Sequence, residues 1–372
     1  MRLADVNPIP SLFTIAPTNR DHEVGVRCAV SVFVPLILLL VLDRVDLAVF
    51  ASFGAFTAIY GRNQPHGLRL RSQLRGGGLM VVVLLAGTLV ARAGWADATR
   101  PWALVAWTTV VAGVCAVLAA YWDQRPAGSL FHIFAFAAVA SVPYQPPLGQ
   151  AMLTAVLVVA FSVFVGMSSR VLPSRRAPFH WPEREPLPAG RWRLIRLEAM
   201  WYVIAAGVAG VLATLLGPVL GIGHSYWAMV AAVVPLVGHS TRYRVNRGLQ
   251  RIIGTFLGLG VLAVVLWLDP PLWAVVVLIA LLQFLAEMYI ARQYVLAQMV
   301  VTPLALLSTV LASAGAAAEA GVPGLGVDRG GLIYDRAVET VIGAVVGMVC
   351  VLYPWAWRKW VRRSPDPARE LP

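Results

Sequence analysis

Charged residues are scarce in this sequence: they make up 13% of its 372 residues, against 59% for hydrophobic residues. A soluble domain of this length would carry about 25% charged residues. The apolar residues form long blocks such as CAVSVFVPLILLLVL, not alternating or one-faced patterns. Blocks of about 20 apolar residues match the thickness of the hydrocarbon core of a bilayer. The sequence therefore predicts an all-α polytopic membrane protein.

Cysteines and catalytic motifs are also few. Cys28, Cys115 and Cys350 all fall in apolar runs, a placement that indicates neither a disulfide framework nor a metal site. The sequence contains no HExxH, CxxC or GxSxG motif and no P-loop, and no polar segment is long enough for an independent domain. We therefore expect no enzyme activity, no metal and no cofactor.

The apolar runs predict twelve transmembrane helices, with approximate limits 27–42, 46–60, 76–91, 101–121, 128–142, 150–169, 199–220, 224–238, 252–268, 271–291, 294–313 and 333–356. With both termini on one side of the membrane, 25 of the 30 Lys and Arg residues fall on that side. Such a bias is typical of the cytoplasmic side. We expect a multi-pass protein of a bacterial plasma (inner) membrane with both termini cytoplasmic. The net charge of +12 then reflects basic loops rather than a nucleic-acid partner.

The two halves of the chain resemble each other. RSQLRGGG, from Arg71, aligns with RGLQRIIG, from Arg247, at an offset of 176 residues. The alignment matches Arg71, Arg75 and Gly78 with Arg247, Arg251 and Gly254. Six spans in each half predict two parallel repeats, a pseudo-dimer within one chain. The predicted units are an N-terminal segment (1–26), a first repeat (27–170), a Pro- and Arg-rich linker (171–198), a second repeat (199–357) and a basic tail (358–372).

The stretch RGLQRIIGTFLG places Arg247, Arg251, Gly254 and Gly258 on one face of a helix. The glycines allow another helix to approach closely, and we expect Gly78 to do the same in the first half. The arginines extend this face towards the cytoplasm, where guanidinium groups suit the capture of carboxylates. Arginines that only anchor the helix end would fit the positive-inside pattern as well.

A second polar group follows. Tyr294, Gln298 and Thr302 are spaced four residues apart, and Glu287 and Arg292 flank the turn before them. This spacing predicts a polar stripe along the eleventh span, which would line a substrate path or form hydrogen bonds between helices.

Ionisable residues near or within spans are functional candidates. Arg336 and Glu339 lie at the start of the last span, where an ion pair between helices would explain them equally well. Glu287, Glu339, His132 and His224 are the candidate proton-coupling groups. Structural roles remain open for both histidines.

Four stretches together resemble the fusaric-acid-resistance-like (FUSC) family of the aromatic acid exporter superfamily: HSYWAMVAAVV, RGLQRIIGTFLG, FLAEMYIARQYVLAQMVVTPLALL and DRAVETVIGAVVG. The clearest matches are Arg251, Gly254, Thr255 and Gly258, then Glu287, Arg292, Tyr294, Thr302 and Pro303, and finally Arg336 and Gly343. The resemblance covers about residues 224–350. Longer family members carry a large cytoplasmic domain where this sequence has the short linker, so we do not expect roles assigned to that domain to carry over.

The resemblance implies export of organic, often aromatic, carboxylates. It also implies an anion path lined by arginines, to which we assign Arg71, Arg75, Arg247, Arg251, Arg292, Tyr294, Thr302 and Arg336. In the pseudo-dimer, the arginine pairs of the two halves would face each other at a cytoplasmic entrance. The rival hypotheses are a passive anion channel and a membrane scaffold of an envelope-synthesis complex. The expected partners are an organic anion and the lipid bilayer, with a homo-oligomer left open.

Overall fold

The structure is a computed structural model, and it describes residues 15–17, 20–95, 100–141, 146–171, 173, 188, 190–238, 240–319 and 329–361. Most of the predicted N-terminal segment before Arg20, most of the linker before Arg191 and the basic tail after Val361 lie outside these ranges.

Twelve α-helices make up most of the described residues. They are α1 Asp21–Val41, α2 Ala48–Ala55, α3 His66–Arg92, α4 Pro101–Tyr121, α5 Leu130–Ser141, α6 Leu148–Ser168, α7 Arg191–Leu220, α8 Tyr226–Val233, α9 Thr241–Leu268, α10 Leu272–Tyr289, α11 Tyr294–Glu319 and α12 Arg329–Val361. Short 3-10 turns extend α2 at both ends, over Val45–Leu47 and Phe56–Ile59, and α8 at its C-terminal end, over Val234–Leu236. The described residues contain no β-strand.

Nine of the helices in the described ranges are long and apolar enough to cross a membrane. The remaining three, α2, α5 and α8, are shorter: α5 has 12 residues, or about 18 Å at 1.5 Å per residue. A hydrocarbon core is about 30 Å thick, so a helix of this length does not span it unaided. The prediction of an all-α polytopic membrane protein is confirmed, whereas the count of twelve crossings stays a prediction.

The three short helices lie inside the helix bundle. Every residue of α2 and α8 is buried, and so are the central residues of α5. The long helices instead expose large apolar side chains at their outer surface, among them Leu38, Val82, Leu157, Leu215 and Leu257. Lipid covers such a surface, while the buried residues of the short helices are surrounded by protein, where interrupted helices are tolerated within a membrane.

Helices from the two halves of the chain pack directly on each other. Helix α1 lies against α10, and α4 lies against α7. Small residues bring them close: a Cβ built on Gly25 of α1 would lie 2.8 Å from the Phe284 ring of α10. Likewise, a Cβ on Gly113 of α4 would lie 2.7 Å from Val203 of α7. The halves therefore form one interlocked bundle.

The contacts within each half follow the same order. Helix α2 packs on α6 as α8 packs on α12, and α3 packs on α5 and α6 as α9 packs on α11 and α12. These matched contacts are the ones that a parallel repeat would produce. The repeat itself stays a prediction.

Candidate functional site

A cavity of about 300 Å³ lies in the centre of the bundle, between the two halves. The short helices α2, α5 and α8 form part of its wall, and residues of α9, α10, α11 and α12 and of the adjoining loops form the rest. Most of the lining residues are buried or half-buried, while Arg125 and Ala127 are exposed.

The lining of the cavity is apolar, aromatic and positively charged. Its aromatic side chains are Phe53, Phe56, Phe131, Phe134, Trp227 and Tyr294, and its arginines are Arg62, Arg125, Arg247, Arg251 and Arg336. Among the lining residues that the structure describes, Glu287 is the one carboxylate. The electrostatics of this cavity therefore favour an anion.

Arg251 enters the cavity from α9. The helix begins after Ser240, whose side chain accepts a hydrogen bond from the Tyr243 amide, and Arg251 follows in the third turn. The Arg251 side chain is buried (3% exposed), and its Nη1 donates to Oε1 of Gln298 at 3.0 Å. Its Nε has no hydrogen-bond partner, and no described carboxylate forms an ion pair with it. A permanent charge thus faces the cavity without a counterion.

Arg336 reaches the cavity from α12. Its side chain is 1% exposed, and its Cζ lies 3.9 Å from the centre of the Trp227 ring in a cation–π contact. Both Nε and Nη1 lack a hydrogen-bond partner. The charge of Arg336 interacts with the like charge of Arg251 and with the opposite charge of Glu339, one turn later on α12, with which it forms no salt bridge. Two buried guanidinium groups of like charge therefore lie at one cavity, and both have unused N–H groups.

Arg247 lies one turn before Arg251 on the same helix. Its Cζ lies 4.1 Å from the centre of the Tyr294 ring, and its Nη1 donates to the hydroxyl of Tyr243 at 3.0 Å. Since Arg247 is half-buried, it extends the positive lining towards the surface at the end of the bundle that the sequence predicts to be cytoplasmic.

Arg62 comes to the same cavity from the first half, from the loop between the Phe56–Ile59 turn and α3. Its Nη1 donates to Oε2 of Glu287 at 2.6 Å, and its Nη2 donates to Oδ1 of Asp21 at 2.5 Å and to the backbone oxygen of Glu287 at 2.7 Å. Arg62 therefore joins α1, its own loop and the end of α10.

The structure brings together part of the predicted anion path. Arg247, Arg251, Tyr294 and Arg336 line the cavity, and so does Glu287. Thr302 is fully buried and does not line it: its hydroxyl accepts a hydrogen bond from Nε2 of Gln298 at 3.0 Å. Tyr294 and Gln298, the first two members of the stripe, line the cavity. Gln298 also bonds to another helix, since its Nε2 donates to the Thr255 hydroxyl of α9 at 3.4 Å, whereas the hydrogen bonds of Thr302 to Gln298 stay within α11.

Arg71, Arg75 and Arg292 are not among the described residues that line this cavity, and their assignment to the anion path stays a prediction. Arg75 donates to the Trp122 backbone oxygen at 3.5 Å and lies over the Trp122 ring, so it faces the end of α4. Arg292 donates to the backbone oxygen of Ala16 at 2.9 Å. Among the arginines of this cavity, Arg247 and Arg251 come from the second half and Arg62 from the first, so the arginine pairs predicted at a cytoplasmic entrance are not the ones that this cavity brings together.

The glycines of the second half make close helix contacts, whereas Gly78 of the first half does not. A Cβ on Gly254 would lie 2.7 Å from the Val295 backbone oxygen, and one on Gly258 would lie 2.6 Å from that of Met299, so α9 and α11 are in close contact. Gly78, in contrast, is exposed, and no described atom lies within 4 Å of its Cβ position.

The neighbouring glycines of the first half make the close contacts instead. A Cβ on Gly76 would lie 2.5 Å from the ring of Tyr60, and one on Gly77 would lie 2.6 Å from Val159. The buried residues of α3 and α9 therefore correspond in a register shifted by two residues from the predicted one. In this register Gln73 is the equivalent of Arg251, and Gly76 is the equivalent of Gly254. Gln73 is neutral, so the charges at this level are asymmetric.

The other candidate proton-coupling groups lie outside the cavity lining. His132 is buried on α5, with its ring 6.4 Å from that of Tyr60. His224 pairs with Asp335, with 2.7 Å between Nδ1 and Oδ2. Glu339 is completely buried on α12, one turn after Arg336, and neither of its carboxylate oxygens makes a well-formed hydrogen bond.

The helices and this cavity together define a polytopic membrane protein with a positively charged internal cavity. Residues 212–350 match the family described as fusaric acid resistance protein-like, which confirms the resemblance for this part of the chain. The region contains α8 to α11 and most of α12, and with them all described lining residues of the second half. Over these residues the chain is therefore similar to that family, and the similarity supports a transporter-like role in a membrane.

A curated relative is similar over a longer stretch. The "Uncharacterized membrane protein YvaC" of Bacillus subtilis (strain 168) is 27% identical over 196 residues, which cover 53% of this chain and 27% of that protein. The match thus spans about a quarter of the relative's length. No solved structure matches the chain.

Sequence reasoning missed two of the residues that shape the site. Arg62 fitted the positive-inside count and carried no further signal, because its partner Glu287 is 225 residues away. Trp227 lies within a stretch that resembles the family, yet its contact with Arg336 joins two helices separated by more than a hundred residues. No local spacing reveals either pair.

Proposed function

We propose that this protein exports organic carboxylates, aromatic ones in particular, across a bacterial inner membrane, and that export is coupled to protons. One observation carries the proposal: Arg251 and Arg336 are buried at one cavity, their charges interact, and no described carboxylate forms an ion pair with either.

A bound carboxylate would pair with the charges of these two side chains and accept hydrogen bonds from their free N–H groups. Burying a charge is costly unless the charge is paired and hydrogen-bonded. The unused N–H groups are Nε of Arg251 and Nε and Nη1 of Arg336. A carboxylate offers two oxygens, which form short, charge-assisted hydrogen bonds with guanidinium groups. An anion between α9 and α12 would therefore use donors that are idle within the described protein.

The wall of the cavity favours an aromatic ligand. Phe53, Phe134 and Trp227 lie on the three short helices, and their rings pack in a row: the centroids of Phe53 and Phe134 are 4.9 Å apart, and those of Phe134 and Trp227 are 4.7 Å apart. Aromatic rings pack well on such a surface. The volume of about 300 Å³ lies at the lower end for ligand sites. We therefore propose small carboxylates with a single ring.

The order of the arginines suggests a direction for the path. Arg247 lies nearest to the basic loop before α9, which the charge distribution assigns to the cytoplasm. Arg251 lies one turn deeper, and Arg336 lies near the start of α12, which the same distribution assigns to the opposite side. A carboxylate captured at Arg247 would pass to the site between Arg251 and Arg336 and leave from there towards the opposite side.

Transport in reconstituted vesicles tests the proposal. Purified protein is placed in proteoliposomes, and the flux of a panel of aromatic and aliphatic carboxylates, including benzoate, is measured with and without a pH gradient. Accumulation against the carboxylate gradient supports a coupled exporter, and flux only down that gradient indicates a passive channel. If no member of the panel moves, the proposal is wrong and a scaffold role is favoured. Arg251→Gln and Arg336→Gln should abolish flux, whereas Arg71→Gln, outside the cavity lining, should preserve it.

A further inference from the structure

Arg62 is held on two sides at the rim of the cavity. One edge of its guanidinium group, Nη1, binds the side chain of Glu287 at 2.6 Å, while Nη2 binds Asp21 at 2.5 Å and the backbone oxygen of Glu287 at 2.7 Å. If the Glu287 side chain moves away, Nη2 still holds Arg62 in place. The Nη1 edge then faces the cavity with a free N–H group.

The loop that carries Arg62 is a tight turn. The residue before it, Gly61, has φ 74° and the residue after it, Asn63, has φ 54°, both in the left-handed region. From this turn, Arg62 reaches Glu287 on α10, a helix of the other half. The contact between Arg62 and Glu287 therefore joins the two halves of the chain.

Glu287 has a second arginine within reach of its charge. Arg27, on α1, is buried, and its Nε donates to the Ala58 backbone oxygen at 3.0 Å. Its Nη2 has no hydrogen-bond partner, and its charge interacts with that of Glu287. Gln283, one turn before Glu287 on α10, already donates to Oε1 of Glu287 at 3.3 Å. A displaced Glu287 side chain thus has a donor and an opposite charge to move to.

We propose that Arg62 is a second carboxylate-binding site of the cavity, which Glu287 occupies until a carboxylate ligand displaces it towards Arg27. The inference rests on the proposed function, since it deepens the account of how a carboxylate enters. The exchange replaces one carboxylate by another on the same guanidinium edge, so Arg62 is paired in both states. This chemistry explains why the one carboxylate of the described lining lies on an arginine of the other half.

Thiol labelling in lipid nanodiscs tests the exchange without any transported ligand. Ser308 lines the same cavity on α11, and Ser308→Cys introduces a reactive thiol there. The three native cysteines are buried, and the protein without the added cysteine gives the background rate. Two methanethiosulfonate reagents are compared: the neutral hydroxyethyl compound reports access to the cavity, and the anionic sulfonatoethyl compound reports access together with attraction of an anion.

In the Ser308→Cys background, Glu287→Gln should raise the rate of the neutral reagent by about threefold or more, because the rate follows the population of the open state. It should raise the rate of the anionic reagent further still. Adding Arg62→Gln should keep the neutral gain and abolish the extra anionic gain. Arg27→Gln, which leaves the Arg62–Glu287 contact in place, should slow the neutral reagent. Glu198→Gln, an exposed acid outside the lining, should change neither rate.

The proposal is overturned if Glu287→Gln leaves the neutral rate unchanged, or if the ratio of anionic to neutral rates is the same with and without Arg62. If Glu287→Gln does not fold, Arg27→Gln decides, and an unchanged neutral rate in that variant rejects the exchange. These rates are independent of vesicle flux. If the protein transports carboxylates but the labelling rates do not change, the second site is refuted and the proposed function stands. If the labelling rates change but no carboxylate is transported, the proposed function is refuted and the second site stands.

Discussion

Arg336 is the most buried of the described charged side chains that line the cavity. Its Cζ lies 3.9 Å from the centre of the Trp227 ring in a cation–π contact, while Nε and Nη1 have no hydrogen-bond partner. A planar group held in this way suits the two oxygens of a carboxylate. Charge alone would place no such demand on geometry.

Arg336→Lys separates charge from geometry. Lysine keeps the positive charge but lacks the planar fork, so we expect benzoate affinity to fall by about tenfold, corresponding to about 1.5 kcal/mol for a lost charge-assisted hydrogen bond. Equilibrium binding of labelled benzoate to the purified protein in nanodiscs measures the change, with Arg71→Lys as the matched control. Unchanged benzoate affinity in Arg336→Lys would mean that the planar guanidinium group of Arg336 does not bind the carboxylate through two N–H groups.

Glu339 is the proton-coupling candidate with the strongest structural support. It is completely buried, its oxygens make no well-formed hydrogen bond, and its charge interacts with that of Arg336. We expect Glu339→Gln to abolish the accumulation of carboxylate driven by a pH gradient while passive flux persists, because glutamine cannot exchange a proton. Vesicle uptake with and without the gradient measures both. Equal accumulation in Glu339→Gln and the parent would remove Glu339 from the coupling mechanism.

At the scale of the helices, the contact between α9 and α11 determines where Arg251 lies. Gly254 and Gly258 allow the helices to approach until Arg251 reaches Gln298, and Thr302 completes the buried network. The spacing of these residues could be read from the sequence because helical periodicity places them on one face. The partner helix could not, since it begins more than 40 residues later.

Gly258→Val tests this contact. Its side chain would meet the backbone of Met299, and overpacking of this kind costs about 1–3 kcal/mol. We expect a lower thermal unfolding temperature in detergent, followed by the loss of folded, monodisperse protein. Gly78→Val provides the control on the exposed face of α3 and should leave the unfolding temperature unchanged. A similar loss in both variants would contradict the assignment of the two faces.

The first-half register illustrates the limit of sequence comparison. The motif RSQLRGGG contains three successive glycines, so an alignment guided by arginine spacing selects Gly78, whereas packing selects Gly76 and Gly77. A shift of two residues turns a helix face by more than half a turn. Arg75 then points to Trp122 rather than to the cavity.

For the whole molecule, composition was sufficient to predict an all-helical membrane protein, because the long apolar runs have few alternatives in a bilayer. The cavity could not be predicted in this way. It depends on α2, α5 and α8 being too short to fill the bundle, and on contacts such as Arg62 with Glu287 that join distant parts of the chain. The apolar run of a short buried helix resembles that of a span.

The interlocking of the halves makes a prediction for the whole chain. Because α1 packs on α10 and α4 packs on α7, the two halves should associate without a covalent link. Residues 1–180 and 181–372, expressed together as separate chains with a tag on one, should co-purify in mild detergent. The control expresses each half alone and mixes them after extraction. Recovery of the tagged half without its partner would contradict the interlocked arrangement.

The central claim is that Arg251 and Arg336 hold one carboxylate between them. The most direct test is equilibrium binding of a labelled panel of aromatic and aliphatic carboxylates to the purified protein in nanodiscs. The account predicts that the parent protein binds at least one aromatic member. Arg251→Gln and Arg336→Gln should each weaken that binding by about tenfold or more, a loss of about 1.4 kcal/mol or more, while Arg71→Gln and Arg292→Gln bind as the parent does. Binding that is absent from the parent, or equally strong in all four variants, would contradict it.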